Sequence, residues 1–268
     1  MAKAKGRVLA IGGSDSGAGA GIQADLKTAA ALGGYATTVV TAVTVQDTRA
    51  VHAILAVPAR LVEAQAKAVL ADIGADAVKT GMLGSAETVR AVARILDGPA
   101  RRLPAVIDPV LKSSSGSALL DRRAATAFKA LLIPRAALLT PNIPEAEALT
   151  GLRIVSLDDR RRAAERLMAL GARAVLIKGG HGRGTVVDLL VSDEGETLFE
   201  GPRARTRHTH GTGCTLASAI ATGLAFGKPL AEAVAEAWAY TAEAIRQAPG
   251  LGRGAGPLEH FLGRGEKK

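Results

Sequence analysis

Apolar, strand-like runs alternate with helical stretches along almost the whole chain. That alternation restricts the fold to a mostly parallel sheet with helices on both faces. Arg7 to Gly12 is a short β-rich run, followed by a Gly/Ser/Asp loop from Gly13 to Gly21 and a helix from Ile22 to Leu32. Tyr35 to Val45 and Val51 to Val57 are β-branched runs, and Pro58 opens a helix to about Leu70. The order continues with a strand from Asp76 to Thr80, a helix from Ala86 to Leu96 and a strand from Ala105 to Asp108. Asp121 caps a helix to Leu132, and Ala136 to Thr140 is a strand running into Pro141-Asn142-Ile143-Pro144-Glu145. Ser156 starts a helix with Asp158 and Asp159 in its first turn, ending at Gly171. Ala174 to Lys178 is a strand into Gly179-Gly180-His181-Gly182. Val186 to Val191 and Glu196 to Glu200 flank Ser192-Asp193-Glu194-Gly195, a hairpin expected to form a lid. Two helices follow, to about Phe226 and from Pro229 to about Gln247.

Sheets of this kind bind ligands beyond the carboxyl ends of their strands. The chemistry-bearing residues Asp108, Asn142, Glu145, Lys178 and Cys214 all follow expected strands or start helices. Cys214, the single cysteine, lies in Thr209-His210-Gly211-Thr212-Gly213-Cys214, just before an apolar helix. The glycines let the backbone bring its N–H groups close to a ligand, and the helix adds its free N–H groups and positive end. Together they make an anion site, most simply for a phosphate, and a thiol there is expected to shift toward the thiolate. The competing reading is an ordinary tight turn with Cys214 as a small buried apolar residue.

Composition narrows the function. Of 268 residues, 48% are hydrophobic and 22% charged, enough for a sizeable core, and with only 3% aromatic that core is aliphatic. One cysteine makes neither an intrachain disulfide nor a cysteine-based zinc cluster, which fits a reducing cytoplasm. Met1 to Arg7 is basic and Val8 to Ile11 is too short for the apolar core of a signal peptide. No uninterrupted apolar run reaches membrane-spanning length. The net charge of +9 is scattered, with its densest run, Arg160-Arg161-Arg162, following two aspartates. There is no basic stripe interleaved with aromatics, so attraction for phosphorylated small molecules is an easier use of the charge than nucleic acid.

Several motifs are absent. Glycines at 17, 19 and 21 do not satisfy G-x-G-x-x-G, and Lys27-Thr28 is not preceded by the glycine of a P-loop. His208 and His210 at i, i+2 are a weak metal pattern, each reading as a loop residue or a donor near phosphate. What remains is a phosphate site with acids: Asp108 and Glu145 could hold a hydrated Mg²⁺, and Lys178 could neutralise transferring phosphate charge.

These pieces occur in a recognisable order: Gly13 through Thr28, Thr44-Val45-Gln46-Asp47-Thr48, Lys79-Thr80-Gly81-Met82-Leu83, Ile107-Asp108-Pro109-Val110, Thr140 through Ala146, Ile177 through His181 and Thr209 through Thr215. The chain thereby resembles the ribokinase-like superfamily of small-molecule kinases, and within it the bacterial hydroxymethylpyrimidine/phosphomethylpyrimidine kinases of thiamine biosynthesis. The resemblance runs from Gly12 to about Phe261. It implies a single kinase domain over residues 1–268, a three-layer α/β fold with a small β lid, ATP and Mg²⁺ as cofactors, and a homodimer. It also implies roles. Cys214 would be the base, with Gly211, Thr212 and Gly213 as the anion hole. Gln46 and the loop around Gly13 and Ala20 would read the aminopyrimidine edge, with Asp25 in the same segment, and Met82 and Val110 would wall the ring. Asp108, Asn142 and Glu145 would organise Mg²⁺, Lys178 would contact ATP phosphates, and Gly182 and Thr206 would lie near the nucleotide. The chain departs from the family pattern at Leu111-Lys112-Ser113-Ser114-Ser115-Gly116. A pyridoxine or pyridoxal kinase, and a non-catalytic ligand-binding regulator, are the alternative readings on the same fold.

Overall fold

The computed structural model describes residues 6–111, 121–180 and 184–262. Nine strands form one sheet: β1 (Arg7–Ser14), β2 (Tyr35–Gln46), β3 (Val51–Ala56), β4 (Ala77–Thr80), β5 (Ala105–Ile107), β6 (Leu138–Leu139), β7 (Val175–Ile177), β8 (Val186–Ser192) and β9 (Gly195–Gly201). Their spatial order is β3-β2-β1-β4-β5-β6-β7-β8-β9. The strands from β2 to β7 in that row pair in parallel, while β3, β8 and β9 are antiparallel additions at the two edges.

The central strands are buried on both faces, and their side chains alternate between two cores as the strand period of two requires. Leu9, Ile11, Val78, Ile107, Leu139 and Ile177 point into one core. There they meet α2 (Ala59–Asp72), α3 (Ala86–Asp97), α4 (Arg122–Leu131), α5 (Ile143–Thr150) and α6 (Leu157–Ala169). Val8, Val106, Leu138 and Leu176 point into the other, against α7 (Thr212–Ala225) and α8 (Leu230–Arg246). Helix α1 (Gly21–Ala31) packs beside α7 on that second face. This is the three-layer arrangement expected.

Two elements differ from expectation. The short helix α5 occupies a stretch between strand and helix to which the sequence assigns no element. Its Asn142-x-x-Glu145 start is a reciprocal capping box, and its Pro144 falls in the first turn, where a missing N–H costs nothing. The hairpin around Ser192–Gly195 is not a lid, because β8 continues the main sheet through β7. The small β layer is instead the β2–β3 arm, where β3 pairs antiparallel with the outer half of β2. The expected caps of α4 and α6 are present: Asp121 accepts from Ala124 N–H, and Ser156 forms a capping box with Asp159.

The chain leaves β1 outward to β2 and β3, then returns to β4 on the other side of β1. That reversal is the switch point where a crevice opens beyond the strand ends.

Candidate active site

A cleft of about 880 Å³ lies over this switch point. It collects the ends of β1 (Gly13, Ser14, Asp15), β4 (Gly81, Met82), β5 (Asp108, Val110) and β7 (Lys178), with Asn142 and Glu145 from the start of α5 and Cys214 from the start of α7. Residues scattered over the sequence converge because parallel strands all end on the same side.

The turn expected to form the anion hole depends on one glycine. Gly211 is the N-cap of α7 and adopts φ +87, the left-handed region. A Cβ there would stand 1.8 Å from the carbonyl oxygen of Gly19, so no other residue fits without moving the β1–α1 loop. The turn aims the first N–H groups of α7 into the cleft, where they have no partner within the helix. Thr212 is the exception, its N–H turning back to Thr209 O at 3.3 Å. Gly213 carries the helix start over a charged pair, since a Cβ on it would lie 3.4 Å from both Asp108 Oδ2 and Lys178 Nζ.

That pair is tight. Lys178 Nζ donates to Asp108 Oδ1 at 2.8 Å, and Thr140 Oγ1 donates to the same oxygen at 3.0 Å. Burial alone would lower the Lys178 ammonium, but Asp108 and Glu145 outweigh it and hold the charge in place. Glu145 is pushed up to about 7, first by burial, opposed by Lys178, and further by Asp108. It accepts the Asn142 N–H at 2.8 Å while Asn142 Oδ1 accepts the Glu145 N–H at 2.9 Å. Asn142, expected at the metal, is engaged as a helix cap that fixes Glu145. Among the described residues no three His, Cys, Asp or Glu side chains cluster as a metal cage. Asp108 Oδ2 faces the cleft beside Gly213, a donor set of the open kind that suits Mg²⁺ completed by phosphate oxygens and water.

Cys214 lines the cleft. Its thiol is not depressed as the helix start alone implies. Burial pushes it up, and Asp25 and Asp108 add to this against the opposing charge of Lys79. Lys79, which the sequence reading left unassigned, is fully buried with its Nζ 2.7 Å from Asp25 Oδ1. Asp25 is only 1% exposed and also accepts from Ser218 Oγ at 2.7 Å. It lies beneath the cleft among these partners, away from the surface a substrate would touch.

The other expected residues line the cleft: Gly13, Ala20, Gln46, Met82, Val110 and Thr206. Gly182 and the Lys112–Gly116 departure lie outside the described residues. Pro202, Leu216, Trp238 and Ile245 give the same cleft an apolar wall. Trp238 Nε1 donates to buried Asp188, which also accepts the Gly179 N–H. Neither residue was singled out from sequence, and the lone tryptophan of an aromatic-poor chain was the signal available.

Comparison with known proteins agrees with this arrangement. The sequence profile described as phosphomethylpyrimidine kinase matches residues 15–259. The chain is 49% identical over 259 residues to a hydroxymethylpyrimidine/phosphomethylpyrimidine kinase of Streptomyces coelicolor, covering 97% of this chain and 96% of the relative. It is 53% identical over 259 residues to a thiamine biosynthesis bifunctional protein of Geobacter sulfurreducens, covering 96% of this chain but only 53% of that longer protein. The crystal structure of a phosphomethylpyrimidine kinase from Clostridium difficile superposes with a TM-score of 0.80 at 41% identity, covering 89% of this chain and 99% of the other. A Staphylococcus aureus pyridoxal kinase in complex with ADP superposes with a TM-score of 0.89 at 33% identity, covering 98% and 96%. The chain belongs to the phosphomethylpyrimidine kinase family, within the ribokinase-like kinases.

Proposed function

We propose that this cleft transfers the γ-phosphoryl group of ATP to the hydroxymethyl group of 4-amino-5-hydroxymethyl-2-methylpyrimidine, and then phosphorylates the monophosphate to the diphosphate. The chain is thus a hydroxymethylpyrimidine/phosphomethylpyrimidine kinase of thiamine biosynthesis. The observation that carries this reading is the convergence of Cys214, the open N-terminus of α7 and the Asp108–Lys178 pair, with Gln46 on the same cleft.

Phosphoryl transfer asks a protein mainly to position groups and to neutralise charge. The N–H groups of Gly213 and Cys214 meet the equatorial oxygens of the moving phosphoryl group, and Lys178 neutralises them from the other side. The substrate hydroxyl gives its proton to Cys214 Sγ as its oxygen attacks phosphorus. A thiol pushed up by its surroundings is the stronger base once ionised, and Lys79 is the cation that favours the ionised form. Asp108 and Glu145 are the residues that would hold Mg²⁺, which would supply positive charge to offset that of the phosphates. Met82 and Val110 wall the pyrimidine ring, Gln46 reads its edge, and the apolar wall with Trp238 takes the nucleotide base, with Thr206 near it.

The same reading includes a homodimer. On the outer face of the β2–β3 arm Val43, Val45 and Leu55 are 48, 59 and 73% exposed, with Val43 directly opposite Leu55. Isolated exposed apolar residues are ordinary, but a cross-strand row of them marks a contact surface. Among the described residues no helix is long and apolar enough to cross a membrane, and the single cysteine lies in the site instead of in a disulfide, as suits a cytoplasmic enzyme.

Incubation with ATP and Mg²⁺, offering the pyrimidine or pyridoxal and reading products by mass spectrometry, tests the function. Mono- and diphosphorylated pyrimidine are expected. Phosphorylation of pyridoxal alone would overturn the substrate assignment.

A further inference from the structure

Asp15 and His210 play no part in the chemistry described above, yet both are buried, His210 between Asp15 and Gln46. Asp15 is 4% exposed and His210 8%. One oxygen of Asp15 accepts the Gly17 N–H at 2.8 Å, and the other accepts the Gly19 and Ala20 N–H groups at 3.1 and 2.9 Å. His210 Nε2 lies 2.8 Å from that second oxygen. A carboxylate receiving several N–H groups stays ionised. Burial would raise Asp15, but His210 and the backbone N–H groups of Ala20 and Gly17 hold it below the usual carboxylate range. An ionised Asp15 can only accept, so His210 Nε2 must carry the proton and donate it.

This fixes Gln46. Its Nε2 atom lies 3.2 Å from the same His210 Nε2, and its Oε1 atom 3.4 Å from Thr44 Oγ1. With that orientation one N–H would face another at His210. Thr44 would also have to give Oε1 a proton that it already gives to Ser14 O at 3.0 Å. A hydroxyl has one proton, and a protonated ring nitrogen has no free lone pair in the plane. Turning the amide over removes both conflicts, an exchange that heavy-atom positions alone do not distinguish. Gln46 Oε1 then faces the single Nε2–H of His210, sharing at 3.2 Å the proton that Asp15 accepts at 2.8 Å, and Gln46 Nε2 donates to Thr44.

The scaffold around this chain of groups is built for close approach. A Cβ on Gly19 would stand 2.5 Å from His210 Cδ2. Ser16 Oγ clamps the backbone of Gln46 from both sides, donating to its carbonyl and accepting its N–H, each at 2.8 Å.

We propose that Asp15 and His210 are positioning residues that hold the Gln46 amide with its acceptor toward His210 and its donor toward Thr44. They thereby make the cleft select a heteroaromatic edge carrying a ring-nitrogen acceptor beside an exocyclic amino donor. The inference rests on the aminopyrimidine reading of the substrate and deepens it. A glutamine amide pairs with such an edge as it does with adenine, through one donated and one accepted bond. The amino group lies on the His210 side and the ring nitrogen on the Thr44 side. The 4-oxo analogue of the pyrimidine, in its lactam form, presents N–H and C=O in the reverse order and is rejected.

The test compares kcat/KM for the amino and oxo pyrimidines in the wild-type protein, His210→Phe and His210→Gln, with the KM for ATP as a check on folding. Taking the ratio removes any effect common to both substrates. His210→Phe is expected to lower the amino-to-oxo preference at least about tenfold, chiefly through the KM of the amino compound, in line with the one to three kcal/mol of a bidentate pair. His210→Gln, which can offer an N–H in the same place, is expected to recover part of it. An unchanged preference in His210→Phe with a normal KM for ATP overturns the proposal. Nitrogen-15 NMR of histidine-labelled protein gives a substrate-free readout: a protonated Nε2 at His210 is expected, and an unprotonated Nε2 overturns the proposal. If wild-type protein phosphorylates neither pyrimidine, the function reading fails, and the NMR result still decides the hydrogen-bond chain.

Discussion

Two lysine–carboxylate pairs of nearly equal length divide the work of this molecule. Lys79 and Asp25 meet at 2.7 Å with side chains 0 and 1% exposed; Lys178 and Asp108 meet at 2.8 Å with side chains 13 and 4% exposed. The first pair is sealed between β4 and the α1–α7 layer, where Ser218 gives Asp25 a further hydrogen bond. The second opens on the cleft beneath Gly213. Lys79 bears on the site only through its charge on the Cys214 thiol, while within the sealed pair losing one charge leaves the other stranded in a medium that solvates it poorly. A pair at the edge of a cleft is held ready for charge that arrives with the substrate, at no cost in reorganisation during the reaction. The lesson is that distance does not distinguish a structural ion pair from a functional one, whereas access to the cleft does.

The largest effect expected is on stability. Lys79→Met leaves the Asp25 carboxylate unpaired, and urea unfolding should show a loss of about 3–5 kcal/mol. The double variant Lys79→Met with Asp25→Leu removes both charges and should recover a good part of that loss. Equal stability of single and double variants would break the comparison, because the sealed pair would then not be acting as a pair.

The next effect is on turnover. Lys178→Met removes the charge proposed to meet the transferring phosphoryl group, and kcat should fall about 10²–10³-fold, the scale of losing one donor to developing charge. Its urea midpoint should move less than that of Lys79→Met, since Asp108 keeps Thr140 and access to the cleft. If the two lysine variants lose stability alike and turnover alike, the division of labour is wrong.

The smallest effect comes from a buried group outside both pairs. His260 is 2% exposed and its pKa is lowered to about 4, first by burial and then by Lys27. A base held neutral by folding contributes stability that is complete above its unfolded value of about 6.5 and is lost as pH falls toward 4. Thermal unfolding from pH 7 down to 4 should therefore reveal a contribution of up to about 3 kcal/mol. His260→Gln should flatten that part of the profile. A profile equally steep in the variant would assign the acid sensitivity to the ion pairs instead.

Much of the architecture was legible because strand and helix periods are local. The apolar runs of β1, β4, β5 and β7 end in Gly13, Gly81, Asp108 and Lys178, and parallel strands carry such ends to one side whatever their spacing in sequence. Helix α5 was missed because Pro141 before it and Pro144 in its first turn obscure a short helical run, although the Asn142-x-x-Glu145 capping pattern marked its start. The β8–β9 hairpin was legible as a hairpin, but which sheet edge receives it is a tertiary fact. At the site, Asp25 was drawn toward the substrate by its place beside the glycine loop, while the helical turn of α1 points it inward to Lys79. Lys79 itself left a trace: a lysine within the four-residue run Ala77–Thr80 of a sheet covered on both faces must be buried and paired. The thiol of Cys214 illustrates what local reading cannot supply. A helix start favours the thiolate, but its balance depends on burial and on Asp25, Asp108 and Lys79, which come from three other strands and helices.

The most direct test is phosphoryl transfer to the pyrimidine by Cys214→Ala, with the affinity for ATP measured in parallel. The account predicts that turnover falls about 10²–10⁴-fold, the usual contribution of a positioned base, while ATP still binds through Lys178 and the start of α7. Full turnover in that variant would contradict it.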